Sequence, residues 1–269
     1  MKLKKGDIVG RLSYNKDIIF IISNIIRYRN QEIAILKGLI IRIEADSPIE
    51  DLELIKSEEI IKALNLLDIE LEKNKLINYK SKQMKRYYNN YGRILHLDGD
   101  KKYSEKSQKF YKNAGLDVVV KNVPENKQPI VIYDLLNRYN PDILVVTGHD
   151  GMIKKGYNYN DVYNYRNSKY FIETVLKARK WENNKEKLAI FAGACQSYYE
   201  GLLEAGANFA SSPARILIDF KDPLIVAEKI AITDSNKYIT INEIKDDLRD
   251  GENGISGIGT FGKKNYKKI

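Results

Sequence analysis

Ile143-Leu144-Val145-Val146-Thr147-Gly148-His149-Asp150-Gly151 and Leu188-Ala189-Ile190-Phe191-Ala192-Gly193-Ala194-Cys195-Gln196-Ser197 decide how this chain is read. Each is a short, unbroken apolar run closed by glycine, the pattern of a strand buried on both faces of a parallel sheet. In open α/β sheets, ligands bind just beyond the carboxyl ends of such strands. The chain's single cysteine and one of its two histidines fall at those ends. A thiol and an imidazole so placed suit nucleophilic chemistry, in which the thiolate attacks and the imidazole serves as base and then as acid.

Working outward, the same alternation of strand and helix holds from Arg93 onward and predicts an α/β domain with a mainly parallel sheet. Arg93–Leu97 reads as a strand ending in Asp98-Gly99-Asp100, followed by a helix from Ser104 to Ala114 that Gly115 stops. Asp117–Val120 is a strand. Gln128–Tyr139 is a helix with Ile130, Leu135 and Leu136 inward, closed by Asn140-Pro141. Residues 151–167, rich in Gly, Asn and Tyr, read as a loop beside the site, and Ser168–Trp181 as a helix. Tyr198–Ala205 reads as a short helix ended by Gly206, and a thiol at the strand end, opening that helix from Gln196, would have backbone amides aimed at it that lower its pKa. Strands at Ala207–Ala210 and Arg215–Ile218 and a helix at Pro223–Thr233 complete the pattern. The glycine-rich stretch 251–260 reads as extended and non-helical, and 263–269 as a frayed basic tail.

The first part of the chain has another texture. Asp7–Arg11, Ile18–Ile22, Ala34–Gly38, Leu39–Ile43 and Leu52–Leu54 are short β-type runs, with turns at Asn15–Asp17 and Tyr28–Gln31. Their spacing predicts a small barrel of SH3-like type. Ser57-Glu58-Glu59-Ile60 suggests a helix start, and Ile60, Ile61, Leu64, Leu67 and Leu71 recur at helical spacing. The expected organisation is therefore a barrel over 1–56, a helical connector over 57–90 and an α/β domain over 91–269.

Composition sets bounds on function. The net charge of +9 comes from 45 basic and 36 acidic residues spread along the chain, and the abundance of Lys, Ile, Asn and Tyr resembles a genome-wide bias. Charge alone thus does not argue for a nucleic-acid partner, and the interleaved aromatic and basic positions of a stacking platform are lacking. One cysteine forms no internal disulfide. Met1–Asp7 shows no signal-peptide core, and no apolar run approaches a membrane span, so a cytoplasmic setting without membrane contact is expected. Two histidines and one cysteine without ligand spacing leave no zinc site and no expected cofactor.

The alternative for Cys195 is a buried cysteine acting as a small hydrophobe, but Gly193-Ala194 and Gln196-Ser197 place it at a turn. His149 is flanked by Gly148 and Gly151, which permit close approach to a ligand, whereas His96 lies inside an apolar strand and reads as a core residue. Order then discriminates. A class I glutamine amidotransferase or a papain-like enzyme needs a histidine after the cysteine, and none follows Cys195. His149 precedes Cys195 by 46 residues, close to the caspase-type pattern of a histidine about 50 residues upstream.

Two apolar strands ending in His-Gly and Ala-Cys characterise the wider caspase-like, clan CD peptidases, and the chain resembles them at Ile143–Gly151 and Leu188–Cys195. It departs from them in having Asp150 before the glycine. With Gly6–Arg11, Leu97–Asp100, Val146–Gly151 and Ala192–Ser197, it resembles over nearly its whole length the YabG family, sporulation-specific peptidases of endospore-forming Firmicutes. The resemblance implies a caspase-like αβα sandwich behind the barrel. It implies a cysteine endopeptidase of the mother-cell cytoplasm, associated with the forming spore coat. Its protein partners would be spore-coat precursors, cut after Arg or Lys. Cys195 would be the nucleophile and His149 the acid/base, with the amides of Cys195 and of Asp150 or Gly151 as the oxyanion hole. A basic side chain before the scissile bond calls for an acidic wall. Gly193 occupies the position where related enzymes carry such an acid, which leaves Asp98 and Asp100 as candidates. The competing expectations are an inactive spore-coat scaffold and an RNA-binding protein using the barrel.

Overall fold

A computed structural model describes residues 2–65, 90–153 and 158–265, and the chain divides into two compact units, Met1–Tyr87 and Tyr88–Ile269. The expected connector beyond residue 65, with Leu67 and Leu71, lies outside the described residues, as do parts of the 151–167 loop and of the tail.

The first unit is an antiparallel sheet of β1 (Ile8–Arg11), β2 (Phe20–Tyr28), β3 (Gln31–Gly38), β4 (Glu44–Pro48) and β5 (Leu52–Leu54), in the order β4-β3-β2-β1-β5. Arg29 and Asn30 both take positive φ, 47° and 65°, as a two-residue hairpin turn with the twist of its strands requires. Val9, Phe20, Ile22, Ala34 and Leu36 alternate inward to form its core. The expected strand at Leu39–Ile43 is not formed. The Gly38 amide donates to the Ile43 carbonyl at 2.8 Å, closing a loop in which an added Cβ on Gly38 would lie 2.2 Å from the Ile41 carbonyl oxygen. The fourth strand starts only at Glu44. Residues 57–65 form a helix, α1, begun by the Lys56 carbonyl, which accepts from Ile60.

The second unit is built on six strands: β6 (Ile94–Asp98), β7 (Val118–Asn122), β8 (Ile143–Thr147), β9 (Ala189–Ala192), β10 (Phe209–Ser211) and β12 (Ile255–Gly257). Their order is β7-β6-β8-β9-β10-β12, all parallel except β12. Every residue of β6, β8 and β9 is buried, as unbroken apolar runs imply. Leu95, Leu97, Leu144, Val146, Ile190 and Ala192 face one way, into a cluster with Ile132 and Leu136 of α3 (Gln128–Tyr139) and Phe171, Val175 and Ala178 of α4 (Ser168–Trp181). His96, Val145 and Phe191 alternate to the other face. There α2 (Lys101–Asn113) and α6 (Asp222–Ile232) pack on the sheet and on each other. The sheet is therefore α/β with helices on both faces. Each large apolar side chain so buried contributes about 1.5–3 kcal/mol, which makes the strand ends a firm platform. A small two-stranded sheet of β11 (Tyr238–Ile239) and β13 (Thr260–Phe261) lies apart from it.

Several local expectations are corrected. Ile130 is 64% exposed, and Ile132 faces the core in its place, while Leu136 lies in the core and Leu135 packs against it as expected. Arg215–Ile218 is irregular, because Arg215 takes φ 54° and its guanidinium turns back to the Ser212 and Pro213 carbonyls. The glycine-rich tail contains one helical turn, α7 (Gly251–Gly254), before pairing with β10 as the antiparallel edge strand. Counted in chain order, the parallel strands run 2-1-3-4-5. The strand order reverses between β6 and β8, the kind of switch point beside whose carboxyl ends open α/β sheets bind ligands.

Candidate active site

Val146 pairs with Ala192 across β8 and β9, and the Gly193 amide donates to the Val146 carbonyl at 3.0 Å. His149 and Cys195 each lie three residues beyond that pair, in the loops that follow the two neighbouring strands. The sheet register thus brings both to the same stretch of rim. Gly193 has to be glycine: it takes φ 109°, and a Cβ there would lie 2.7 Å from Ser211 Oγ and 2.9 Å from Leu202 Cδ1.

Cys195 and Gln196 form a turn held by the Gln196 amide on the Ile216 carbonyl at 3.0 Å, with Gln196 at φ 54°. The following helix, α5 (Tyr199–Glu204), starts only at Tyr199. This corrects the expected activation of the thiol by a helix opening at Gln196, since the α5 amides begin a full turn later. Cys195 is fully buried, and its S–H donates to the Ile218 carbonyl at 3.8 Å.

Asp150 joins the two strand-end loops. Its carboxylate accepts from the Gly151 amide at 2.9 Å, the Asn167 amide at 2.8 Å, and the hydroxyls of Ser168 and Ser197. Ser197 Oγ in turn accepts from the Ala194 amide at 2.8 Å, so Asp150 braces the Cys195 turn as well as its own loop. A second tie runs from the Met152 amide to Gln196 Oε1 at 3.2 Å. Complete burial pushes the Asp150 carboxyl up to about 6, against the opposing pull of these four donors. With its oxygens so occupied, Asp150 does not orient the neighbouring imidazole.

The two histidines sit on opposite sides of a contrast. His96 Nε2 lies 2.7 Å from Thr147 Oγ1 and its Nδ1 3.4 Å from the Tyr111 hydroxyl. One arrangement serves all: Tyr111 donates to Nδ1, Nε2–H donates to Thr147, and Thr147 donates to Asp98 Oδ2 at 2.9 Å. His149 is equally buried, yet neither ring nitrogen has a hydrogen-bond partner among the described residues. Carboxylates bracket its ring instead, with Glu125 Oε1 3.7 Å from Nδ1 and Asp100 Oδ2 3.9 Å from Nε2.

The acids after β6 have different situations. Asp98 is wholly buried, and its two oxygens accept from Thr147 and from the Asp100 amide. Asp100 caps α2 through the Tyr103 amide at 3.2 Å, and its side chain is 28% exposed. Glu125 did not stand out in the sequence. Its signal lay in Gly99 and Gly148, where an added Cβ would come within 2.2 Å and 2.6 Å of Glu125 Oε1. Among the described residues no group of three or more His, Cys, Asp or Glu is placed to hold a metal ion.

Over residues 4–268 the chain matches the family described as YabG peptidase U57. The chain belongs to the YabG peptidase family. A curated YabG relative, the sporulation-specific protease YabG of Bacillus subtilis (strain 168), is 39% identical across 97% of this chain and 96% of its own length. YabG membership makes the chain a peptide hydrolase, as the strand-end motifs indicated. No solved structure matches it. No helix among the described residues is long and apolar enough to cross a membrane.

Proposed function

We infer that this chain is a cysteine endopeptidase with a caspase-like αβα core and an SH3-like N-terminal barrel. Its substrates would be spore-coat precursors and other sporulation proteins in the mother cell, cut after Arg or Lys. What supports the reading is the register of β8 and β9, in which His149 and Cys195 each follow the Val146–Ala192 pair by three residues, together with a buried imidazole that has no hydrogen-bond partner among the described residues. A structural histidine at that depth would have found partners, as His96 has.

In the mechanism, His149 takes the Cys195 proton and the thiolate attacks the scissile carbonyl carbon. The amides of Cys195 and Asp150 receive the oxyanion, since the Gly151 amide already donates to the Asp150 carboxylate. The imidazolium then protonates the leaving amine, the C–N bond breaks, and a thioester forms. Water deprotonated by His149 attacks the thioester and regenerates the thiol. Asp100, the exposed member of its pair, would face a basic side chain, and Asp98 would support it through the Asp100 amide. The strand-free segment 215–219, which covers Cys195 through Ile218, would have to yield to substrate.

The full burial of Cys195 favours one second reading, a spore-coat scaffold with an inactive core. Incubating wild type and Cys195→Ala with a spore-coat extract and mapping new N-termini by mass spectrometry separates the two. New termini that follow Arg or Lys and appear only with wild type support the peptidase. Identical patterns in both samples remove Cys195 from the chemistry.

A further inference from the structure

The Cys195–His149 reading leaves open what holds the imidazole, and this inference rests on that reading. A buried ring with two unbonded nitrogens is expensive to maintain. The groups facing it are Glu125 toward Nδ1, Asp100 toward Nε2, and Tyr103, edge-on with ring centroids 6.3 Å apart. The two carboxylates are not equivalent. Asp100 keeps 28% exposure, whereas Glu125 is buried and already tied to the His149 backbone, so Glu125 is the carboxylate fixed against the ring. It faces Nδ1, which leaves Nε2 to exchange a proton with the thiol and the leaving amine.

Glu125 is built into this place. It is buried, and the same Oε1 that faces Nδ1 accepts the amide of His149 at 2.8 Å, so backbone and ring share one anchor. Gly99 and Gly148, lacking Cβ atoms, make the room that its carboxylate fills. Its turn, Glu125–Lys127, is fastened to the end of β8 by Gln128 Nε2, which donates to the Val123 carbonyl at 3.1 Å and the Thr147 carbonyl at 2.8 Å. From 3.7 Å, a ring movement of about 1 Å brings Nδ1–H into hydrogen-bond range of Oε1. We propose that Glu125 is the positioning residue of His149. It accepts Nδ1–H, leaves Nε2 as the base, and stabilises the imidazolium formed when the Cys195 proton passes to Nε2.

The test uses the full-length protein and its only thiol, with iodoacetamide as probe and intact mass as readout. Alkylation rates are followed between pH 5 and 9 for wild type, Glu125→Gln, Glu125→Asp and His149→Ala. Gln keeps an oxygen for the His149 amide, so its melting temperature should match wild type, while the charge is lost. In Glu125→Gln the imidazolium that pairs with the thiolate loses its charged partner. Glu125→Gln should therefore alkylate about tenfold more slowly at pH 6 and equally fast at pH 9. Glu125→Asp should recover part of the rate. A Glu125→Gln profile that overlays wild type, while that of His149→Ala is displaced, overturns the role of Glu125 and leaves the Cys195–His149 reading standing. A thiol unreactive in the native protein, or a His149→Ala profile matching wild type, removes the underlying pair and the proposal with it.

Discussion

His96, in β6, and His149, two residues beyond the neighbouring β8, are both at zero exposure, and they have opposite fates. His96 meets a tyrosine and a threonine, each bonded to one ring nitrogen, and Thr147 passes the chain on to Asp98. His149 meets two carboxylates just beyond hydrogen-bond distance and a tyrosine edge. An imidazole with both nitrogens hydrogen-bonded adds rigidity and has no nitrogen to spare for proton exchange. A buried one with unbonded nitrogens contributes little to stability and retains the capacity to move a proton. The difference matches the proposed division of roles, with His96 stabilising the sheet and His149 moving the proton.

Substitutions at the two sites should separate accordingly. His149→Ala should lower peptide cleavage by about a thousandfold, within the range for a general acid/base, with little loss of melting temperature. Full activity in that variant would collapse the distinction. His96→Ala should do the reverse, costing about 3 kcal/mol in urea denaturation, because it opens a cavity and strands Thr147 and Tyr111. Equal stability with wild type would show that its hydrogen bonds are not the ones that matter.

A buried acid extends the comparison. Asp222 accepts from the amides of Arg249 and Asp219, yet burial pushes its carboxyl up to about 6 from 3.8. Between pH 4 and 6 the native state then keeps a proton that the unfolded chain has released. Its contribution to stability falls as pH rises through that window and is level above it. The stability of wild type relative to Asp222→Asn should drop by roughly 2 kcal/mol from pH 4 to pH 7 in paired urea titrations. A constant difference would mean that the amide hydrogen bonds offset the burial. The smallest effect is expected at the relay. Thr147→Val should cost about 1 kcal/mol, and less again in the His96→Ala background, because the two share one chain of hydrogen bonds.

Much of the strand-end rim was legible in the sequence, for a physical reason. Ile143–Thr147 and Leu188–Ala192 are buried on both faces, so their apolar runs are unbroken, and glycine marks where each strand turns. The Arg29–Asn30 hairpin turn was likewise visible between β-type runs. What was not legible depends on tertiary contacts. Leu39–Ile43 has strand composition but is bent by the tight closure at Gly38. Arg215–Ile218 looks like a strand and is held irregular by bonds to Ser212 and Gln196. The donors around Asp150 come from Asn167, Ser168 and Ser197, which no local pattern links to it. Glu125 sits in a short turn without periodicity, and only the two glycines that accommodate it hinted at its presence.

The most direct measurement is the intact mass of the protein after exposure to an arginyl peptide carrying a thiol-reactive ketone, for wild type, His149→Ala and His96→Gln. The account predicts one adduct on Cys195 in wild type and in folded His96→Gln, and none in His149→Ala. Peptide cleavage that continues in wild type without any adduct, or an adduct formed equally in His149→Ala, would contradict it.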